Sequence, residues 1–259
     1  MSIADPLGPN DCQGSYRSTA DPKVALIDGV TFKNKRVLYS AIDFTAIVEG
    51  DIAIGRTTDQ GDFISFRAIS ISGAQHRWPG GKIPFTIATD LPNPSRVQDA
   101  IDHWHAETGI RFVPRTNETD FVEFFNGNGC FSAVGRQGGK QQISLGPNCT
   151  VGNAIHEIGH TVGLWHEQSR DDRALHITLH MENCIAGFEH NFDQHITDGD
   201  DLGDYDYGSI MHYPETAFSK NGLPTIKPKV AGATIGQRTG LSEKDIEGVK
   251  AMYPGLSHP

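Results

Sequence analysis

A chain of 259 residues with a formal net charge of -10 can bury a sizeable core in one large domain or two smaller ones, and its acidic balance argues against a nucleic-acid partner, which needs a basic patch or stripe. No apolar run is long enough to cross a bilayer, which excludes a membrane span. The opening Met1-Ser2-Ile3-Ala4-Asp5-Pro6 lacks the charged and apolar regions of a secretory signal, leaving three readings: a leader already removed, export by another route, or retention inside the cell.

Taken in chain order, the first part of the sequence alternates. Val37-Leu38-Tyr39 and Phe44-Thr45-Ala46-Ile47-Val48 read as strands punctuated by Gly and Asp, and helix signals are few. Val48-Glu49-Gly50-Asp51-Ile52 reads, on its own residues, as a Gly-Asp turn. An organisational break falls near residues 67 to 76. Beyond it, Trp78-Pro79-Gly80-Gly81 is a turn leading into a strand at Ile83-Pro84-Phe85-Thr86-Ile87. Pro94-Ser95 opens a helix in which Val97, Ile101, Trp104 and His105 share a face, and His103 and His105 are ordinary residues of that helix. Further strands are expected at Phe121-Val122-Glu123-Phe124-Phe125 and Gln141-Gln142-Ile143-Ser144-Leu145. There is no internal repeat or low-complexity tract.

The chemistry concentrates in His156-Glu157-Ile158-Gly159-His160-Thr161-Val162-Gly163-Leu164-Trp165-His166. On a helix His156 and His160 share a face, so both rings can point at one ion. Glu157, beside the first ligand, is placed to reach a water on that ion as general base. Gly163 can take positive φ, end the helix and return His166 as a third ligand. Three protein ligands leave an open position, which marks a catalytic rather than a structural zinc.

This pattern resembles the metzincin metallopeptidases, with a Met-turn candidate at Ser209-Ile210-Met211-His212-Tyr213. Glu167 directly after the third histidine narrows the resemblance to the astacin family. The likeness runs from about Arg77 to Tyr253, through Ile110-Arg111-Phe112-Val113-Pro114-Arg115 and Ile235-Gly236-Gln237-Arg238. It implies an α+β, zincin-like catalytic domain, with a twisted mixed sheet and a zinc-binding helix and with two subdomains flanking a cleft. It implies one zinc ion per chain, held by His156, His160 and His166, and hydrolysis of peptide bonds in proteins or peptides with Glu157 as catalytic base. Tyr213 is expected as a further zinc ligand that swings away to assist catalysis, and Met211 as an apolar base under the metal.

The resemblance extends upstream. Val48-Glu49-Gly50-Asp51 is similar to a propeptide motif whose aspartate ligates zinc in the zymogen, although Val48 replaces the usual aromatic. Residues 1–68 are accordingly expected to be an inhibitory prosegment and residues 69–259 the peptidase domain, with an activating protease cutting near Ile69. Glu167 would then meet the new terminal ammonium. Cys130 and Cys149 are expected to pair, contributing roughly 3 kcal/mol by loop closure, and the enzyme to be secreted. Gly109 stands where a second disulfide would need a cysteine, and Cys12 and Cys184 are left either paired with each other or free. An exposed edge strand at Cys130-Phe131-Ser132-Ala133 is expected to pair with extended substrate. Arg238 would line the pocket after the scissile bond and favour an acidic side chain there by bidentate pairing. Three other readings stay open at this stage: a peptide clamp without turnover, a structural zinc protein, and a zinc hydrolase acting on something other than peptides.

Overall fold

The computed structural model describes residues 16–27, 34–65, 74–194 and 201–259; Cys12 and Ile69 lie outside them. Upstream of the break are β1 (Lys23–Ile27), β2 (Lys35–Ile42), β3 (Thr45–Val48), β4 (Ile52–Thr57) and β5 (Phe63–Ser65). They form an antiparallel meander, with Val24 opposite Leu38 and Ile42 opposite Thr45. Alternation explains it: Ala25, Ile27, Val37 and Tyr39 turn inward onto Ala46, Val48, Ile52 and Ile54, while Val24 and Leu26 face out.

Next come β6 (Lys82–Ile87), α1 (Ser95–Glu107), β7 (Arg111–Pro114), β8 (Phe121–Phe125), β9 (Cys130–Ser132), β10 (Lys140–Leu145) and α2 (Val151–Val162). Strands β7, β6, β8 and β10 run parallel and β9 antiparallel to β10, the mixed sheet expected. Helix α1 packs Val97, Ile101 and Trp104 into the main core, and the Trp104 indole donates to the Ile155 carbonyl of α2 at 3.1 Å. The two histidines of α1 do act as ordinary helix residues: His103 Nε2 accepts from Leu241 N–H at 3.0 Å and His105 Nε2 from Phe112 N–H at 2.9 Å. Cys130 and Cys149 form the expected disulfide, which ties β9 to the approach to α2.

The two sheets are one. The strand order is β1-β2-β3-β4-β9-β10-β8-β6-β7, with β5 also on β4. Strand β4 lies parallel to β9, with Ile52 opposite Ser132, and Ser132 N–H donates to Asp51 O at 3.0 Å. The edge carrying Phe131 and Ser132, which the resemblance leaves exposed to substrate, is covered here by β4, and Cys130, Phe131 and Ser132 are all buried. The reason is local, since an unpaired strand edge is a template and the chain's own β4 fills it.

After α2 regular structure thins to α3 (Arg173–His176), the paired β11 (Ile177–Leu179) and β12 (Ile226–Pro228), and α4 (Glu243–Met252). A second core of Phe188, Phe192, Tyr205, Tyr213, Phe218 and Ile226 holds this half. Among the described residues no helix is long and apolar enough to cross a membrane.

Candidate metal centre and active site

Helix α2 starts with a reciprocal cap: Thr150 Oγ1 accepts from Asn153 N–H and Asn153 Oδ1 from Thr150 N–H. It ends at Gly163, whose φ of 127° a residue with a Cβ adopts only with strain. The chain then reverses and brings His166 back over the helix. Its imidazole centroid lies 5.4 Å from that of His156 and 4.8 Å from that of His160. Met211 sits beneath, its sulfur so close to Gly159 that a Cβ there would stand 2.7 Å away.

The outer nitrogen of each ring is engaged. His156 Nδ1 donates to Ile210 O at 2.8 Å, His160 Nδ1 to Leu164 O at 2.9 Å, and His166 Nδ1 meets Glu49 Oε2 at 2.6 Å. With Nδ1 spent, every Nε2 lone pair is left for the centre, which is how metal-ligating histidines are oriented. There they meet Asp51: Oδ2 is 3.2 Å from His156 Nε2, and Oδ1 is 3.0 Å from His166 Nε2 and 3.7 Å from His160 Nε2. These four residues are buried and form a group that could hold a metal ion. His160 Nε2, His166 Nε2 and Asp51 Oδ1 are buried without a well-aligned hydrogen bond, a cost that native interiors avoid unless something binds there. A neutral-imidazole and carboxylate donor set suits zinc, so the residues fit the ion.

Electrostatics separate the two acids at the centre. Burial pushes Asp51 up, but the proton that His166 carries until a metal ion displaces it, and the polar contacts of all three imidazoles, outweigh it and hold the carboxyl well below its usual range. At Glu157 burial first, then the charge of Asp51, push the carboxyl well above the ordinary carboxylate value against a weaker downward pull from the Arg238 charge, and its Oε2 has no hydrogen-bond partner. An acid held ready to keep or release a proton is what proton-transfer chemistry uses.

The remaining expected residues are distributed as follows. Tyr213 is fully buried with its ring 4.7 Å from that of His166, but its hydroxyl donates to the Glu49 carbonyl rather than into the histidine cluster. Arg238 is half-buried, and bidentate pairing is not what its geometry offers: Nη1 is committed to the carbonyls of Ile210, His212 and Gln237, and Nη2 donates to the Tyr16 hydroxyl at 2.7 Å. Glu167 accepts from Asp206 N–H at 2.7 Å, lies 3.6 Å from Arg170 Nε, and is pushed up to about 8 by burial. It lines a cavity of about 130 Å³ that also touches His76, Arg77 and Asp204. Cys184 is buried and unpaired.

Three residues at the site were not singled out from sequence. Glu49 is fully buried and accepts from both His166 and Ser169. Tyr16 comes from the first described residues of the chain. Asp245, on α4, accepts from Ser209 Oγ and Ile210 N–H and so holds the turn that carries Met211. For Glu49 no strand period could have served, since Glu49 at φ 49° and Gly50 at φ 75° lie in the turn between β3 and β4.

This arrangement, a zinc-type ligand set on a helix beneath a mixed sheet with an acid beside it, defines a metallopeptidase catalytic domain. The family model for the astacin peptidases matches residues 70–254. The zinc metalloproteinase nas-13 of Caenorhabditis elegans is 38% identical over 239 residues, spanning 86% of this chain and 52% of that protein. Human meprin A subunit beta is 35% identical over 218 residues, 80% of this chain and 29% of its own length. Among solved structures, high choriolytic enzyme 1, a hatching enzyme zinc-protease from the medaka Oryzias latipes, superposes with a TM-score of 0.66 at 35% identity, covering 72% of this chain and 98% of that one. The chain belongs to the astacin family. It spans about half the length of nas-13 and less than a third of meprin A subunit beta.

Proposed function

We propose that this chain is the latent form of a zinc-dependent endopeptidase that hydrolyses peptide bonds in proteins, with residues 1–68 as its inhibitory prosegment and residues 69–259 as the catalytic domain. The observation that carries the reading is the convergence of Asp51 with the Nε2 atoms of His156, His160 and His166. A carboxylate there fills the position a catalytic site keeps open for water.

His156, His160 and His166 would hold the zinc ion, with Asp51 as fourth ligand in the latent state. Bound zinc supplies a water with a pKa near 7 and Lewis acidity toward a carbonyl. Glu157 takes a proton from the attacking water on one carboxylate oxygen and delivers it to the leaving amine nitrogen. Tyr213, once Glu49 no longer holds its hydroxyl, donates to the substrate oxygen that gains charge. Met211 keeps the floor of the site apolar. Phe131 and Ser132 regain a free edge when β4 leaves, and an extended substrate adds there as a strand. Arg238 orients the residue after the scissile bond. An acidic side chain would be met through the Nη2 edge, since Nη1 stays tied to the main chain.

Activation follows from cleavage near Ile69 by another protease. The cavity beside Glu167 is lined by His76 and Arg77, a short span downstream of that point, and would receive the new ammonium. The disulfide and the family's peptidase chemistry are consistent with a secreted, extracellular enzyme acting on protein or peptide substrates. Limited proteolysis of the zinc-loaded chain tests the whole reading. Hydrolysis of a quenched fluorescent peptide should appear together with a new amino terminus near Ile69, and Asp51→Ala should give the uncut chain a part of that activity, the rest being held back by β4 on the substrate edge. A cut chain with full zinc and no hydrolysis would sink the proposal.

A further inference from the structure

Tyr16 enters the cleft from the far amino-terminal side and is 3% exposed. Its ring meets Tyr213 edge-on at 4.9 Å between centroids and Phe218 at 5.7 Å. Tyr213 in turn contacts the His166 imidazole, so one aromatic ring separates Tyr16 from a metal-ligating histidine. The phenol oxygen accepts from Arg238 Nη2 at 2.7 Å. That guanidinium is itself fixed, because Ile210 O, which accepts from His156 Nδ1, also accepts from Arg238 Nη1 at 2.8 Å. Arg238 therefore presents one rigid edge beside the metal centre, and the Tyr16 hydroxyl meets it while the Tyr16 ring rests on Tyr213 and Phe218.

A side chain that satisfies this surface needs a flat apolar body for Tyr213 and Phe218 and an oxygen acceptor at its tip for Nη2. A phenol has both. The segment that delivers it is held at several points. Arg17 N–H donates to Gly50 O at 2.7 Å, Asn191 Nδ2 donates to Ser18 Oγ at 2.7 Å, and Ser18 Oγ lies 3.1 Å from Ser40 Oγ. Gly50, at φ 75°, has no room for a Cβ, which would stand 2.8 Å from the Phe218 ring and 3.2 Å from Tyr16 Cβ. The turn that aims Asp51 and the segment that aims Tyr16 are thus packed against each other.

We infer that Arg238, Tyr213 and Phe218 form a pocket for an aromatic side chain bearing an oxygen acceptor, and that in the intact chain Tyr16 occupies it as a second inhibitory contact separate from Asp51. The inference rests on the latent-peptidase reading above. It means that removing the Asp51 carboxylate opens the metal while leaving the neighbouring pocket plugged.

Two measurements on zinc-loaded protein test it. The first compares peptide hydrolysis by the intact chain carrying Asp51→Ala with the chain carrying Asp51→Ala and Tyr16→Ala. The double variant should be about tenfold more active, and Tyr16→Phe in place of Tyr16→Ala should give a smaller part of that gain. The second uses the cleaved chain made inactive by Glu157→Ala and titrates short peptides by calorimetry. A peptide with Tyr after the position of the scissile bond should bind about tenfold more tightly than its Phe analogue, and Arg238→Ala should erase the difference. Equal activity of the single and double variants, or equal binding of the Tyr and Phe peptides, overturns the inference while leaving the aspartate-blocked zymogen intact. Failure of Asp51→Ala to release any activity counts against the zymogen reading instead, and the peptide titration then decides the pocket by itself.

Discussion

Two helices in this chain begin with the same reciprocal cap, and the regions they serve are built differently. At α2, Thr150 and Asn153 bond each other's main-chain N–H, and among the described residues neither side chain reaches further. At α4, Ser242 and Asp245 do the same, but Asp245 also accepts from Ser209 Oγ at 2.6 Å and Ile210 N–H at 2.9 Å. The half of the domain around α2 is a sheet with two packed helices, held by periodic apolar faces. The half beyond Gly163 is mostly loop and is held by side chains bonded to main chain. Ile210 joins the two through both of its main-chain groups, since its N–H goes to Asp245 and its C=O receives His156 Nδ1. Regular structure thus supplies the ligand row, and a polar staple in the irregular half sets the ligand's angle.

The largest test of this division falls on Glu157, in the regular half. Glu157→Ala should cut turnover of the cleaved enzyme by about 10²- to 10⁴-fold, while elemental analysis finds zinc retained and the melting midpoint does not fall. A variant with full turnover would remove the base assignment. Next is the disulfide that anchors β9. Replacing Cys130 and Cys149 together by Ser should cost about 3 kcal/mol in denaturant unfolding, with zinc content unchanged. Loss of zinc in that variant would mean that the ligand helix depends on the crosslink and that the two halves are less independent than described.

The same contrast explains what could be read from sequence. His156, Glu157, His160 and His166 were legible because a helix has a period and a glycine ends it, and β6, α1, β8 and β10 were legible from apolar spacing. Met211, Tyr213, Glu167 and Arg238 were found by resemblance to a family, since loops carry no period. Asp245 and Glu49 were not found at all. Each acts through hydrogen bonds to residues far along the chain, Asp245 to Ile210 and Glu49 to His166, and a carboxylate that will be buried looks in sequence like one that will be solvated. The covering of β9 by β4 escaped for a related reason, because an edge strand does not name the segment that will pair with it.

Asp245→Ala should cost about 2 kcal/mol, as three donors around Ile210 and Ser242 lose their acceptor. Burial raises the Asp245 carboxyl above its ordinary value, so the sign of its pH dependence is defined. A raised folded-state value stabilises fully below the unfolded value and loses that contribution as pH rises through the folded one. The disadvantage of Asp245→Ala relative to wild type should therefore shrink as pH climbs from about 4. A penalty that grows with pH would mean that the ionised carboxylate is the stabilising form.

The smallest effect is the sharpest. Asn153→Ala and Thr150→Ala each remove half of the α2 cap and should cost about 1 kcal/mol, with zinc affinity unchanged. Asp245→Ala removes the corresponding half of the α4 cap and should lower zinc affinity as well, by about 10-fold, because the Ile210 carbonyl that orients His156 loses its support. Competition with a chelator of known affinity measures both. If the α2 variants weaken zinc as much as Asp245→Ala does, the ligand geometry comes from the helix alone and the polar staple is structural. If only Asp245→Ala does so, the irregular half governs the metal through the main chain of a single residue, Ile210.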